Sequence, residues 1–296
     1  MWTDDRFPLK ESDINLFFNM SSRGANSKNN HIRELILVEL STRPYVWIYS
    51  PCYGNKWYKV YIEWKKVIEQ ICNTSIDDIS VVLAGGRKNN YDFSLSYYDL
   101  NNKPVTRLIE FKFNCQSINR LPQFINLPEK FGLFKDLYAE FFYDNYLLRI
   151  LRLINIDTLP PKDWYLNHVY TANYSCGKPF PQLKAIDANE STIQTLKSEI
   201  VNLSIKEYLA LYVDTFDIPK LMDKIEQTQA GKAYILWYQD RFYIDYLKVP
   251  DGNVVNIANN NTVVIKDPTG AELRVLLRWK NHKGVLYPAY QISVRK

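Results

Sequence analysis

Cysteine and histidine are scarce in this chain, and their scatter removes several chemistries. The four cysteines, Cys52, Cys72, Cys115 and Cys176, form no Cys-x-x-Cys pair. Neither a disulfide framework nor a zinc site is the natural reading, and a reducing compartment fits. The three histidines, His31, His168 and His282, stand apart without a His-Glu-x-x-His motif, which argues against a zinc hydrolase. Neither a Gly-x-x-x-x-Gly-Lys-Ser/Thr nor a Gly-x-Gly-x-x-Gly loop occurs, so a nucleotide cofactor has no support, and no Gly-x-Ser-x-Gly elbow marks a serine hydrolase. No apolar run reaches ~18 residues, so a membrane span is not expected. The start, Met1-Trp2-Thr3-Asp4-Asp5-Arg6, lacks the basic-then-apolar order of a secretory signal. The expectation is a soluble intracellular protein, cytoplasmic or nuclear.

What is present is an ordinary globular composition, 46% hydrophobic and 23% charged over 296 residues, enough for one elaborated domain or two. A formal charge of +5 permits a nucleic-acid partner without demonstrating one, because local distribution matters more than the total. The 22 tyrosines and other aromatics read mainly as core, as in Phe141-Phe142-Tyr143.

The pattern divides the chain into an N-terminal arm (1–30), a core (31–155), a helical and loop region completing it (156–230) and a β-rich region (231–296). The polar stretch 21–30 separates the arm from a helix at about 31–41. A second helix is expected at 58–73, a strand at 79–83, and a long helix at 130–154, where Phe134, Leu137, Phe141, Leu148 and Leu151 recur at turn spacing. Residues 167–172 suggest another strand, and helices are expected at 190–212 and 218–228. From 232 onward six strands with tight connections, Gln239-Asp240 among them, predict an antiparallel meander.

The most informative residues are Asp92, Glu110 and Lys112. Tyr91 to Leu95 and Leu108 to Phe113 read as neighbouring strands with Asn101-Asn102-Lys103-Pro104 as turn material. Residues two apart on a strand share a face, so Glu110 and Lys112 point together while Ile109, Phe111 and Phe113 point away. Two carboxylates and a lysine on one side of a bent hairpin suit a hard cation such as Mg2+, which takes a few carboxylate oxygens plus water and substrate phosphate. A second Glu-x-Lys, Glu63-Trp64-Lys65, acts as an internal control. It lies where Val60, Trp64, Val67, Ile68 and Ile71 recur at helical spacing, and a helical i, i+2 pair diverges.

The order helix, strand, Gly85-Gly86 turn, strand with Asp92, strand with Glu110-Phe111-Lys112 and long helix resembles the PD-(D/E)XK, or restriction-endonuclease-like, phosphodiesterases. Tyr91 stands where that motif often has proline. The resemblance covers about a third of the chain. It implies an α+β fold, a restriction-endonuclease-like mixed sheet flanked by helices, followed here by the antiparallel β-rich region. It also implies that Asp92 and Glu110 bind Mg2+ or Mn2+ with the Phe111 carbonyl as a further ligand. Lys112 would orient or activate water and stabilise charge on the phosphorane. The family often adds an acid from the helix before the first strand, for which Glu63 and Glu39 are the candidates. Glu39 falls on the apolar side of its helix near Ile32, Leu35 and Ile36, so it needs a partner, a metal or a structural arginine.

Nucleic-acid contacts are expected from Arg87 and Lys88 on the glycine turn and from Asn114, Gln116, Arg120 and Gln123 after the motif strand. Arg274, Arg278 and Lys280 share strand parity and could form a phosphate track beside Trp279. The expected activity is Mg2+-dependent hydrolysis of DNA, double-stranded more than single-stranded, as an endonuclease. A homodimer would present two centres to two strands. The alternatives are a catalytically degenerate nucleic-acid-binding protein of the same fold, or a protein-interaction module using the C-terminal basic and aromatic face. A restriction, repair, viral or mobile-element nuclease would share the same centre.

Overall fold

The computed structural model describes residues 17–18, 26–48, 54–84, 91–171, 191–252, 254–280 and 287–296. Its helices are α1 Asn26–Thr42, α2 Pro44–Ile48, α3 Gly54–Cys72, α4 Tyr138–Phe142, α5 Leu148–Arg152, α6 Lys162–Thr171, α7 Ser191–Tyr212 and α8 Ile218–Gln229. Its strands are β1 Ser80–Leu83, β2 Phe93–Tyr98, β3 Pro104–Phe113, β4 Ile125–Pro128, β5 Lys232–Tyr238, β6 Arg241–Asp245, β7 Val254–Ala258, β8 Thr262–Lys266, β9 Glu272–Lys280 and β10 Tyr287–Arg295. The protein is α+β, with two five-stranded sheets, and no helix among the described residues is long and apolar enough to cross a membrane.

Two compact units divide the chain, residues 1–118 with 228–248 and residues 119–227 with 249–296. The first holds a mixed sheet in the order β1-β2-β3-β5-β6, in which β3 and β5 run parallel and all other neighbours antiparallel. Period-two alternation makes this sheet two-faced. Phe93, Leu95, Ile109, Phe111, Ala233, Ile235 and Trp237 point to one side, where they join Ile36, Leu37 and Leu40 of α1 and Trp57, Trp64 and Ile68 of α3 in a single core. Alpha3 presents its apolar residues at i, i+4, i+7 and i+8 spacing, Val60, Trp64, Val67, Ile68, and buries all four. Phe17 of the arm is fully buried against Trp57 and Trp237.

The second unit carries the antiparallel sheet β4-β10-β9-β8-β7. Its connections are tight. Asn259 and Asn260, at φ 52° and 59°, form the turn between β7 and β8, a left-handed pair that asparagine tolerates better than most side chains. Helices of this unit surround a buried polar cluster in which Tyr138 Oη contacts Ser204 Oγ at 2.7 Å and accepts the Trp279 Nε1 hydrogen bond at 2.9 Å.

Several expectations are corrected. The core of 31–155 ends at 118 and resumes at 228, because β5 pairs with β3 and β6 with β5 instead of opening a C-terminal meander. Tertiary pairing overrode chain proximity there. The region 231–296 is therefore shared between the two sheets. The helix expected at 130–154 begins at Tyr138 and is interrupted by the π-helical turn Tyr143–Leu147. Gly132, at φ 69°, follows a short 3-10 turn and ends any earlier helical start. Residues 167–171 continue α6 rather than forming a strand.

Candidate active site

Beta2 and β3 form the hairpin that positions the motif. Asp92 stands just before β2, where its N–H donates to Ile109 O and its own carbonyl accepts from Ala84 N–H, both at 2.8 Å. Because Phe93 faces Ile109 in register, Asp92 lies beside Glu110 on the face away from the core. Its Oδ2 accepts the Phe111 N–H at 2.8 Å. Phe111 thus contributes its backbone to the centre while its ring stays in the core. Glu110 and Lys112 share the Asp92 face as expected, and Lys112 Nζ reaches Glu110 Oε1 at 2.5 Å.

Three further residues join the group. The parallel register of β3 and β5 sets Lys232 opposite Leu108 and Tyr234 opposite Glu110. Lys232 Nζ then reaches Glu110 Oε2 at 3.3 Å, with a side chain only 1% exposed. Tyr234 is fully buried, and its hydroxyl donates to Gln229 Oε1 at 2.7 Å. From α1 comes Glu34, 12% exposed, with His31 Nδ1 3.7 Å away. The Arg33 guanidinium lies 3.5 Å over the ring of Phe113 at the end of β3, which draws this part of α1 toward the motif strand.

The electrostatics identify a strained collection of charge. Burial pushes the Asp92 carboxyl up to about 6, reinforced by the negative charge of Glu110. Burial pushes Glu34 up to about 8, reinforced by Asp92 and Glu110 and opposed by Lys112. Burial opposes the charge on Lys112, but Glu110, Asp92 and Glu34 outweigh it and hold its pKa above the ordinary lysine value. Lys112 is therefore an ammonium group in the resting protein, suited to neutralising charge and not to accepting a proton. For Lys232 burial wins and lowers the pKa, partly offset by Glu110.

Asp92 and Glu110 share this face with two lysines, and Glu34, raised to about 8, is largely protonated near neutral pH beside them. Among the described residues no three Asp, Glu, His or Cys side chains stand close enough to hold a metal by themselves. Mg2+ does not require that, since it binds through one or two carboxylates with water and phosphate oxygens around them. Asp92 and Glu110 are hard oxygen donors on one sheet face, and the residues present fit such an ion.

The helix acid is a correction. Glu39 is held by Arg43, which donates to it through Nε at 3.0 Å and Nη2 at 2.6 Å one turn later. It found the structural arginine its position demanded. Glu63 is half-buried on α3, and the group of charges receives Glu34 instead. Five residues separate Glu34 from Glu39, about 140° around a helix, so the two acids serve different surroundings. The helical Glu63-x-Lys65 pair diverges as expected, with Lys65 turning to Glu69 at 3.6 Å.

Asn114 and Gln116 are exposed immediately beyond β3. Arg120 and Gln123 belong to the second unit, where Gln123 accepts a hydrogen bond from Gln291. Arg274 and Arg278 share a face of β9 but are half-buried and engaged, Arg274 with Glu272 at 2.8 Å and Arg278 with Gln291 Oε1 at 2.9 Å. Arg87, Lys88 and the side chain of Lys280 lie outside the described residues. No protein-family model and no curated protein matches the sequence.

Glu34 and Lys232 were missed by sequence reasoning. Lys232 left a signal, a lysine heading the otherwise apolar strand Ala233-Tyr234-Ile235-Leu236-Trp237. Glu34 left none, because a helical wheel turns it away from the buried stripe of Ile32, Ile36 and Leu40.

Proposed function

We propose that this chain is a Mg2+-dependent nuclease that hydrolyses phosphodiester bonds in DNA as an endonuclease, with Mn2+ as a substitute ion. The observation that carries the reading is the placement of Asp92 beside Glu110 and Lys112 on one sheet face. The mixed sheet, with the motif on its β2–β3 hairpin and helices covering the opposite face, supports a restriction-endonuclease-like core.

Asp92 and Glu110 are the residues that would hold the cation. When bound, Mg2+ supplies Lewis-acid neutralisation of the phosphoryl oxygens and acidifies a coordinated water. The Phe111 N–H fixes the Asp92 carboxylate on its Oδ2 side. Lys112, protonated and 28% exposed, can turn from Glu110 to a non-bridging phosphate oxygen and stabilise the charge that develops there. Glu34 stands behind this pair as an acid held largely protonated near neutral pH. Asn114 and Gln116 offer uncharged hydrogen-bonding groups to the strand being cut.

Cleavage of supercoiled and linear DNA with Mg2+, Mn2+ or EDTA tests the reading, comparing the wild type with Asp92→Ala and Lys112→Ala. Metal-dependent cutting that both folded variants lose is expected, and relaxed circles as first product would mark an endonuclease. Binding without cutting by the wild type would put the degenerate-site alternative in its place. Absence of both would leave the interaction-module alternative.

A further inference from the structure

Glu110 is gripped from both sides. Lys112 holds Oε1 at 2.5 Å and Lys232 holds Oε2 at 3.3 Å. The two lysines are not equivalent. Lys112 is partly exposed and can leave for an arriving phosphate, whereas the Lys232 side chain is 1% exposed and tied into the β3–β5 register. Lys232 cannot touch a substrate from that position, and its ammonium stays beside Glu110 whatever else enters the centre.

We propose that Lys232 is a positioning residue: it fixes the Glu110 carboxylate and, as a resident positive charge, keeps the affinity of the centre for a divalent cation low. This deepens the nuclease reading and rests on it. Asp92 and Glu110 face two ammonium groups, with Glu34 largely protonated near neutral pH beside them, so the resting centre is close to neutral. A divalent cation makes it positive, and a phosphodiester offsets part of that charge. Without Lys232 the positive excess is one charge smaller, so the cation meets less repulsion. The buried lysine therefore shifts part of the cation's binding free energy onto the presence of DNA phosphate, because like charges a few ångströms apart repel strongly in a poorly solvated site.

Direct Mn2+ binding, by isothermal titration calorimetry and electron paramagnetic resonance at one fixed pH without DNA, reads this without reference to cleavage. Lys232→Met and Lys232→Gln remove the charge at nearly constant volume and are expected to bind Mn2+ roughly tenfold or more tightly than the wild type. Lys232→Arg keeps the charge and is expected to bind as the wild type does. Asp92→Asn, combined with each, should abolish the site. Equal or weaker binding by the folded Met and Gln variants overturns the proposal, as does a gain in only one of them. Failure of both neutral variants to fold while Lys232→Arg folds would make Lys232 structural and also overturn it. Mn2+ binding that never depends on Asp92 would instead remove the metal-centre reading itself.

Discussion

The two units each bury polar groups beside a sheet, and they treat them in opposite ways. In the second unit the groups around Tyr138 answer one another, although the buried Glu129 Oε2 has no hydrogen-bond partner among the described residues. Tyr138 meets Ser204 and Trp279, Tyr208 donates to the Asp136 carbonyl, and Glu129 accepts the Tyr138 N–H at the start of α4. A carboxylate at a helix start is favourably placed by the exposed amides and the helix dipole, although burial still lifts Glu129 to about 7. In the first unit Asp92, Glu110 and Glu34 crowd like charges together, with one backbone amide on Asp92 and two lysines on Glu110. A paired network stabilises a core, while acids crowded together at raised pKa values mark a candidate functional site.

Breaking the first unit's cluster should therefore cost activity, and breaking the second's should cost stability. The largest effect is expected from Asp92→Ala or Lys112→Ala. Each should slow metal-dependent DNA cleavage by about 10²- to 10³-fold or more, the scale of losing one group aimed at transition-state charge. Circular dichroism should show both variants folded, since neither side chain belongs to the apolar core.

Glu34 gives a sharper contrast through pH. Its pKa is raised in the folded state, from 4.5 to about 8, so folding favours the protonated acid. Stability from this group is fully present below the ordinary glutamate pKa and is lost as pH rises toward and through about 8. At ~1.4 kcal/mol for each tenfold change in proton affinity, the loss in metal-free protein is on the order of a few kcal/mol. Urea denaturation at pH 5 and pH 9 should show that Glu34→Gln is the more stable protein at pH 9 and has lost much of the difference between the two conditions. An unchanged pH dependence in Glu34→Gln would place Glu34 in a solvated setting and weaken the charge-crowding account.

Tyr138→Phe probes the paired cluster. It strands the Trp279 indole N–H, while the Ser204 hydroxyl keeps its bond to the Val201 carbonyl, and should cost about 1–2 kcal/mol. Calorimetry would register a lower Tm, and cleavage measured well below that temperature should be unaffected. The smallest effect belongs to the control copy of the motif. Glu63→Gln with Lys65→Gln should leave cleavage unaltered and stability within about 0.5 kcal/mol, since Lys65 makes only a half-exposed pair with Glu69.

The amino-acid sequence alone determined the local features that depend on period and parity. Alternation put Glu110 and Lys112 on one face and Ile109 and Phe111 on the other, because successive strand residues point oppositely. Helical spacing around Trp64 disposed of the second Glu-x-Lys, and the stranded apolar position of Glu39 required the partner that Arg43 supplies. Tertiary structure decided what entered from a distance. Residues 114–231 separate β3 from β5, and only their parallel pairing, register included, carries Lys232 to Glu110. Glu34 points away from its own helix's apolar stripe, so periodicity marks it for solvent, yet it is only 12% exposed and feels the charges of Asp92, Glu110 and Lys112. Periodicity reports which face of an element is apolar, whereas burial of the opposite face depends on which other elements arrive there.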